Sequence, residues 1–118
     1  MANELALSWS MSFSKGGAAV SVSGSDNVDV SGTKYTKVVQ NIGTVDETLA
    51  LGDVSTIGFV IFKNLDGTNY VQIGADGSSY PVKLNAGETA GPFRWNGAAI
   101  HAKANTAACD LEYTLISD

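Results

Sequence analysis

Ile57-Gly58-Phe59-Val60-Ile61-Phe62-Lys63-Asn64-Leu65-Asp66-Gly67-Thr68-Asn69-Tyr70-Val71-Gln72-Ile73-Gly74 decides the fold class. Its first six residues are nearly all apolar, the pattern of a central strand covered on both faces. Asp66-Gly67 is a turn signal, and Tyr70 to Gly74 restarts a strand. The stretch therefore reads as a β-hairpin with a loop longer than two residues.

Strand signals continue on both sides. Leu5, Leu7, Trp9, Met11 and Phe13 alternate with small or hydroxyl residues, which predicts a strand with one buried face. Lys15-Gly16-Gly17 reads as a turn, Val20 and Val22 mark a second strand, and Ser23-Gly24-Ser25-Asp26-Asn27 reads as another turn. Val28 and Val30 suggest a short strand. Residues 33–42 are rich in β-branched and aromatic types, with Lys34 and Lys37 placed as on an edge strand. Thr44-Val45-Asp46-Glu47 could open a helix, but Gly52 would end it early. Short strands follow at Thr48 to Leu51 and at Val82 to Leu84. Another has Pro92 near its entry, one spans Ala98 to Ala104, and the last runs from Asp110 to Ile116. Leu111, Tyr113 and Leu115 share one face of that last strand.

The sum is about nine or ten short strands with turn signals every 8–12 residues or so, and no long helical pattern. The predicted fold is all-β, an antiparallel two-sheet β-sandwich, jelly-roll-like or immunoglobulin-like, forming one domain over residues 1–118. Trp9, Phe59, Ile61, Val71, Trp95, Leu111, Tyr113 and Leu115 are the predicted core.

Composition narrows the function. The net charge is −5, and all of it falls in residues 45–118, where nine acids face four bases. No two basic residues are adjacent, which argues against a nucleic-acid footprint. No apolar run approaches the ~20 residues of a membrane span, and the first residues lack the form of a signal peptide. One cysteine, Cys109, permits no internal disulfide, which favours synthesis in a reducing cytoplasm.

Candidate chemistry is sparse. His101 is the only histidine, too few for a zinc site with one cysteine, and it reads as a rim residue rather than a triad member. Cys109 reads as a small core hydrophobe. Asp26, Asn27 and Asp29 resemble a fragment of a calcium loop that Val28 and Val30 interrupt. Asp66-Gly67 and Asp76-Gly77 read as turns. Asp46-Glu47 is the one adjacent carboxylate pair with a conceivable glycosidase role, in a loop that no other signal marks as a cleft. Trp9 and Trp95 stand in phase with apolar neighbours and read as core rather than as sugar platforms. The residues thus predict no enzyme, no metal and no cofactor.

The run Asn64-Leu65-Asp66-Gly67-Thr68-Asn69-Tyr70-Val71-Gln72-Ile73-Gly74 is followed by Leu84-Asn85-Ala86-Gly87-Glu88. Ala102-Lys103-Ala104-Asn105-Thr106-Ala107 and Leu111-Glu112-Tyr113 come after it. Together they resemble small structural proteins of tailed-bacteriophage virions, over about residues 57–117. The resemblance implies a virion component made in the host cytoplasm. The foremost form is a capsid decoration (cement) protein bound to the major capsid protein as a homo-oligomer, a trimer by preference. The alternative it implies is a neck, tail or fibre-associated piece, with carbohydrate or receptor binding. Charged residues make up 16% of the chain, against about 25% in typical domains. That low charge suits a protein that docks on others.

Overall fold

The computed structural model describes residues 4–118, and every regular element among them is a β-strand. The sequence reading treats residues 1–118 as one domain, whereas the chain divides into two compact units, Met1–Ser31 and Gly32–Asp118.

The first unit is a two-stranded ribbon. β1 (Leu5–Lys15) pairs antiparallel with β2 (Ala18–Val28) without a break in register. Gly16 and Gly17 make the tip, both at positive φ, which an L side chain rarely adopts. The turn expected over residues 23–27 is strand instead. Gly24 lies opposite Trp9, and a Cβ there would stand 2.5 Å from the indole. Glycine serves here to let the ring lie across the ribbon, not to reverse the chain. Trp9, placed in the core by its phase, is 43% exposed. Period two identifies one apolar face, but a lone ribbon has no second layer to cover it.

The second unit holds β3 (Tyr35–Ile42), β4 (Glu47–Thr48), β5 (Ile57–Asn64), β6 (Val71–Gly74), β7 (Val82–Leu84), β8 (Thr89–Arg94), β9 (His101–Ala104) and β10 (Cys109–Ser117). One sheet has the order β3-β10-β5-β8 and the other β4-β9-β6-β7. β3 pairs with β10, β4 with β9, β5 with β8 and β6 with β7, all antiparallel. This nesting of outer around inner pairs is the jelly-roll arrangement, and it sets aside the immunoglobulin alternative.

The expected hairpin across Asp66-Gly67 is accordingly a crossing between sheets. β5 belongs to one sheet and β6 to the other. Asn64, fully buried at the end of β5, holds the crossing by donating its amide to the carbonyls of Asn69 and Leu84. Its own Oδ1 accepts from the Asp66 amide.

Alternation builds the core. On β10, Leu111, Tyr113 and Leu115 point inward and join Val60 and Phe62 of β5 and Val71 and Ile73 of β6 in one core cluster. Cys109 is buried, as its reading requires. Phe59 and Ile61, expected to be fully buried, occupy the outer face of β5 and are half-buried, with Arg94 lying 4.7 Å over the Phe59 ring. Trp95 is also half-buried. It closes the margin of the core by stacking on Phe93 and meeting Phe62 edge-on. β8 carries Pro92 on the sheet edge, opposite a register shift between Val60 and Phe62, where a missing N–H is tolerated.

Candidate functional site

Two features of the described residues lie outside the needs of the core: a polar cluster on the sheet of β4 and β9, and the apolar face of the ribbon.

The cluster begins with His101, the first residue of β9. Alternation turns His101 and Lys103 outward while Ala102 and Ala104 enter the core. Gly74, paired with His101 on β6, has no side chain, so the backbone of Ser79 and Tyr80 packs directly over it and brings Tyr80 beside His101's face of the sheet. Asp46, in the loop before β4, places Oδ2 2.9 Å from His101 Nδ1, and its Oδ1 accepts from the Tyr80 hydroxyl. Lys103 Nζ sits 4.9 Å from the centre of the Tyr80 ring. The Tyr80 hydroxyl, then the His101 ring, hold the Asp46 carboxyl below its ordinary value. The same bond pushes the Tyr80 hydroxyl up to about 12. Tyr80 is therefore a neutral donor to one oxygen of Asp46, and His101 Nδ1 faces the other.

An Asp–His pair of this kind orients an imidazole. Catalysis would also require a nucleophile or a bound water facing Nε2 and a cleft to hold substrate. A groove of about 380 Å³ runs along β3 and is lined by Tyr35, Thr36, Lys37, Val38, Gly52 and Asp53. It includes no member of the cluster. What the cluster demonstrably does is tie the loops holding Asp46 and Tyr80 to β9.

The adjacent carboxylates Asp46 and Glu47 point to different tasks. Glu47 accepts from the Gly43 amide and the Gln40 side chain. Gln40 in turn accepts from the Ala50 amide, and the buried Tyr113 hydroxyl donates to the Ala50 carbonyl. Glu47 thus belongs to a network that closes one side of the sandwich. Asp26 and Asn27 are successive residues of β2 and project to opposite faces, so they do not converge on a cation. Asp66 and Asp76 each accept two backbone amides within their own turns. Among the described residues no group of three or more His, Cys, Asp or Glu could hold a metal ion, and no helix is long and apolar enough to cross a membrane.

The ribbon offers the larger surface. Residues directly paired on antiparallel strands share a face. Leu5/Val28, Leu7/Asp26, Trp9/Gly24, Met11/Val22, Phe13/Val20 and Lys15/Ala18 therefore form six rungs on one side. Met11 is 63% exposed, Val20 55% and Phe13 51%. The opposite side is Ala6, Ser8, Ser10, Ser12 and Ser14 against Asn27, Ser25, Ser23, Ser21 and Ala19. Sequence reasoning had these residue types in hand but assigned the apolar side to a core.

No protein-family model, curated protein or solved structure matches the chain.

Proposed function

We propose that this protein is a structural subunit of a tailed-phage virion, a decoration (cement) protein that attaches to the lattice of the major capsid protein and has no catalytic role. The observation that supports this reading is the ribbon. It is an 11-residue strand pair whose apolar side, Trp9, Met11, Phe13, Val20 and Val22, stays open. An isolated two-stranded ribbon is at best marginally stable in water, and an exposed apolar patch of this kind marks an interaction surface. The jelly-roll sandwich adds support of a general kind, because viral capsid and lectin domains use it. The resemblance over residues 57–117 supplies the virion and its capsid partner.

The tail or fibre alternative, with sugar binding, draws on the half-exposed Trp9. Its neighbours Leu7, Met11, Val22 and Gly24 offer no side-chain donors for sugar hydroxyls, which sugar sites need beside a stacking ring. Protein packing fits that surface better.

The test is quantitative mass spectrometry of purified virions produced from a genome carrying this gene. Copy number in a fixed ratio to the major capsid protein is the expected result. Absence from intact virions, or a few copies confined to isolated tails, overturns the head assignment.

A further inference from the structure

We infer that the ribbon's partner is a second copy of this chain, joined ribbon to ribbon, apolar face to apolar face, in an antiparallel two-fold pair. This rests on the reading of the ribbon as an assembly element and names its occupant.

Three properties of the ribbon point to its own copy. The first is shape. Gly24 clears the middle of the face, so the Trp9 ring lies across the ribbon instead of standing above it. The result is an even apolar strip, six rungs long at about 6.8 Å per rung, or roughly 34 Å. An identical strip matches it in length and in composition.

The second property is area. Scaled by their exposed fractions, Trp9, Met11, Phe13, Val20 and Val22 leave about 500 Å² uncovered per ribbon, or about 1,000 Å² across a pair. That reaches the threshold for a specific interface, about 1,000 Å² in total. Leu5, Leu7 and Val28 extend it. The hydroxyl-rich opposite side remains in water, where Ser and Asn need no partner.

The third property is charge. The apolar face carries two charged residues at opposite ends: Lys15 beside the tip and Asp26 one rung from the base. In an antiparallel pair the Lys15 rung of one copy lies over the Leu5/Val28 rung of the other. The partner's Asp26 is then one rung along and one strand across, about 8 Å in the plane of the ribbon, within reach of a lysine side chain. The same rotation brings Trp9 of each copy over Met11 of the other. Identical patches meeting in this way form an isologous interface, and the two salt contacts follow from symmetry. A parallel bundle, such as the three-fold ring expected from sequence, would instead gather the Asp26 carboxylates at one level and the Lys15 ammoniums at another. Like charges so placed repel.

The experiment is sedimentation equilibrium of the full chain at micromolar concentration, followed by a charge exchange. The expected mass is twice the 12.2 kDa of one chain. Lys15→Glu should weaken association at least fivefold, and adding Asp26→Lys to it should restore most of the loss. Both substitutions are at exposed strand positions, so folding is not at issue. Met11→Asp should give single-chain mass with the β-sheet circular dichroism retained. A wild-type mass of one chain, or of three, overturns the inference, as does failure of the exchanged pair to recover. A single-chain mass for a protein still found on virions sinks the pairing and leaves the decoration reading standing. A two-chain mass with no copies on virions does the reverse.

Discussion

The buried side-chain amide of Asn64, at the end of β5, donates to the Leu84 carbonyl, at the end of β7, at 3.1 Å, joining the two sheets of the jelly roll where the chain crosses between them. The Asn69 carbonyl, at 2.9 Å, and the Asn85 carbonyl, at 3.3 Å, lie around the same amide nitrogen, and the Asp66 N–H returns to its oxygen. Asn64→Leu keeps the volume and strands this set. Leaving buried polar groups unpaired costs about 1–3 kcal/mol each, so a loss of about 3 kcal/mol is expected. Urea denaturation would show it as a midpoint lower by roughly 2 M. An unchanged midpoint would mean that water replaces the amide.

Gly74 closes β6 under the loop that leads to β7. A Cβ there would overlap the Ser79 carbonyl oxygen and stand 3.1 Å from the Tyr80 Cα. Both obstacles are backbone and cannot rotate away. Gly74→Ala should cost about 1–3 kcal/mol, as overpacking does. It should also displace Tyr80, so the tyrosine should titrate nearer its ordinary pKa. Measuring both in one variant separates simple destabilisation from loss of the Asp46–Tyr80 contact.

The pH dependence has two limbs. The Asp46 carboxyl is held below 3.8 chiefly by the Tyr80 hydroxyl. The Asp66 carboxyl is held down by the Asn69 and Thr68 amides, and that of Asp76 by the Ser78 and Ser79 amides. For a depressed carboxylate, the stabilisation is complete above the unfolded value and disappears as pH falls through the folded one. Stability should therefore decline below about pH 4, and Asp46→Asn should flatten part of that decline. Tyr80 behaves oppositely. Its hydroxyl is raised from 10.0 to about 12, so its contribution is complete below pH 10 and is lost as pH climbs towards 12. Tyr80→Phe should remove that alkaline slope. Denaturation midpoints measured across pH on the three proteins check both limbs, and equal alkaline slopes for wild type and Tyr80→Phe would contradict the assignment.

Local periodicity carried the strands. The in-phase set Leu111, Tyr113 and Leu115 is the inner face of β10, and the lysine-flanked segment around Lys37 is an edge strand, as read. Pairing was not legible, because it depends on partners far apart in the chain, such as Tyr35 with Ile116 and Glu47 with Ala102. The same distance hid the cluster: Asp46 and His101 are 55 residues apart, and neither has a motif around it. Trp9 failed for a different reason. Period two states that a strand has an apolar face, but whether another layer covers it is a tertiary fact. Gly24 misled in the same direction, since glycine in a Ser-Gly-Ser context signals a turn until the ring opposite it is known.

The last prediction concerns the independence of the sandwich. Every strand from β3 to β10 finds its partners among residues 35–117, and the first strand of the roll is paired with its last along eight positions. The Asp118 amide donates to the Thr56 carbonyl and the Ser117 amide to that of Lys34, so both ends of the second unit are fastened to it. The 14 buried apolar residues of the core cluster, from Ile42 to Leu115, all belong to this unit. A chain of 87 residues can bury enough surface to fold alone. A protein beginning at Gly32 should therefore keep the β-sheet circular dichroism signal, a cooperative urea transition and the slow amide exchange of β5 and β10. It should also sediment as a single chain at concentrations where the whole protein associates. Loss of the cooperative transition would show that residues 1–31 complete the fold of the sandwich. Retention of the associated mass would move the assembly surface from the ribbon to the sheets.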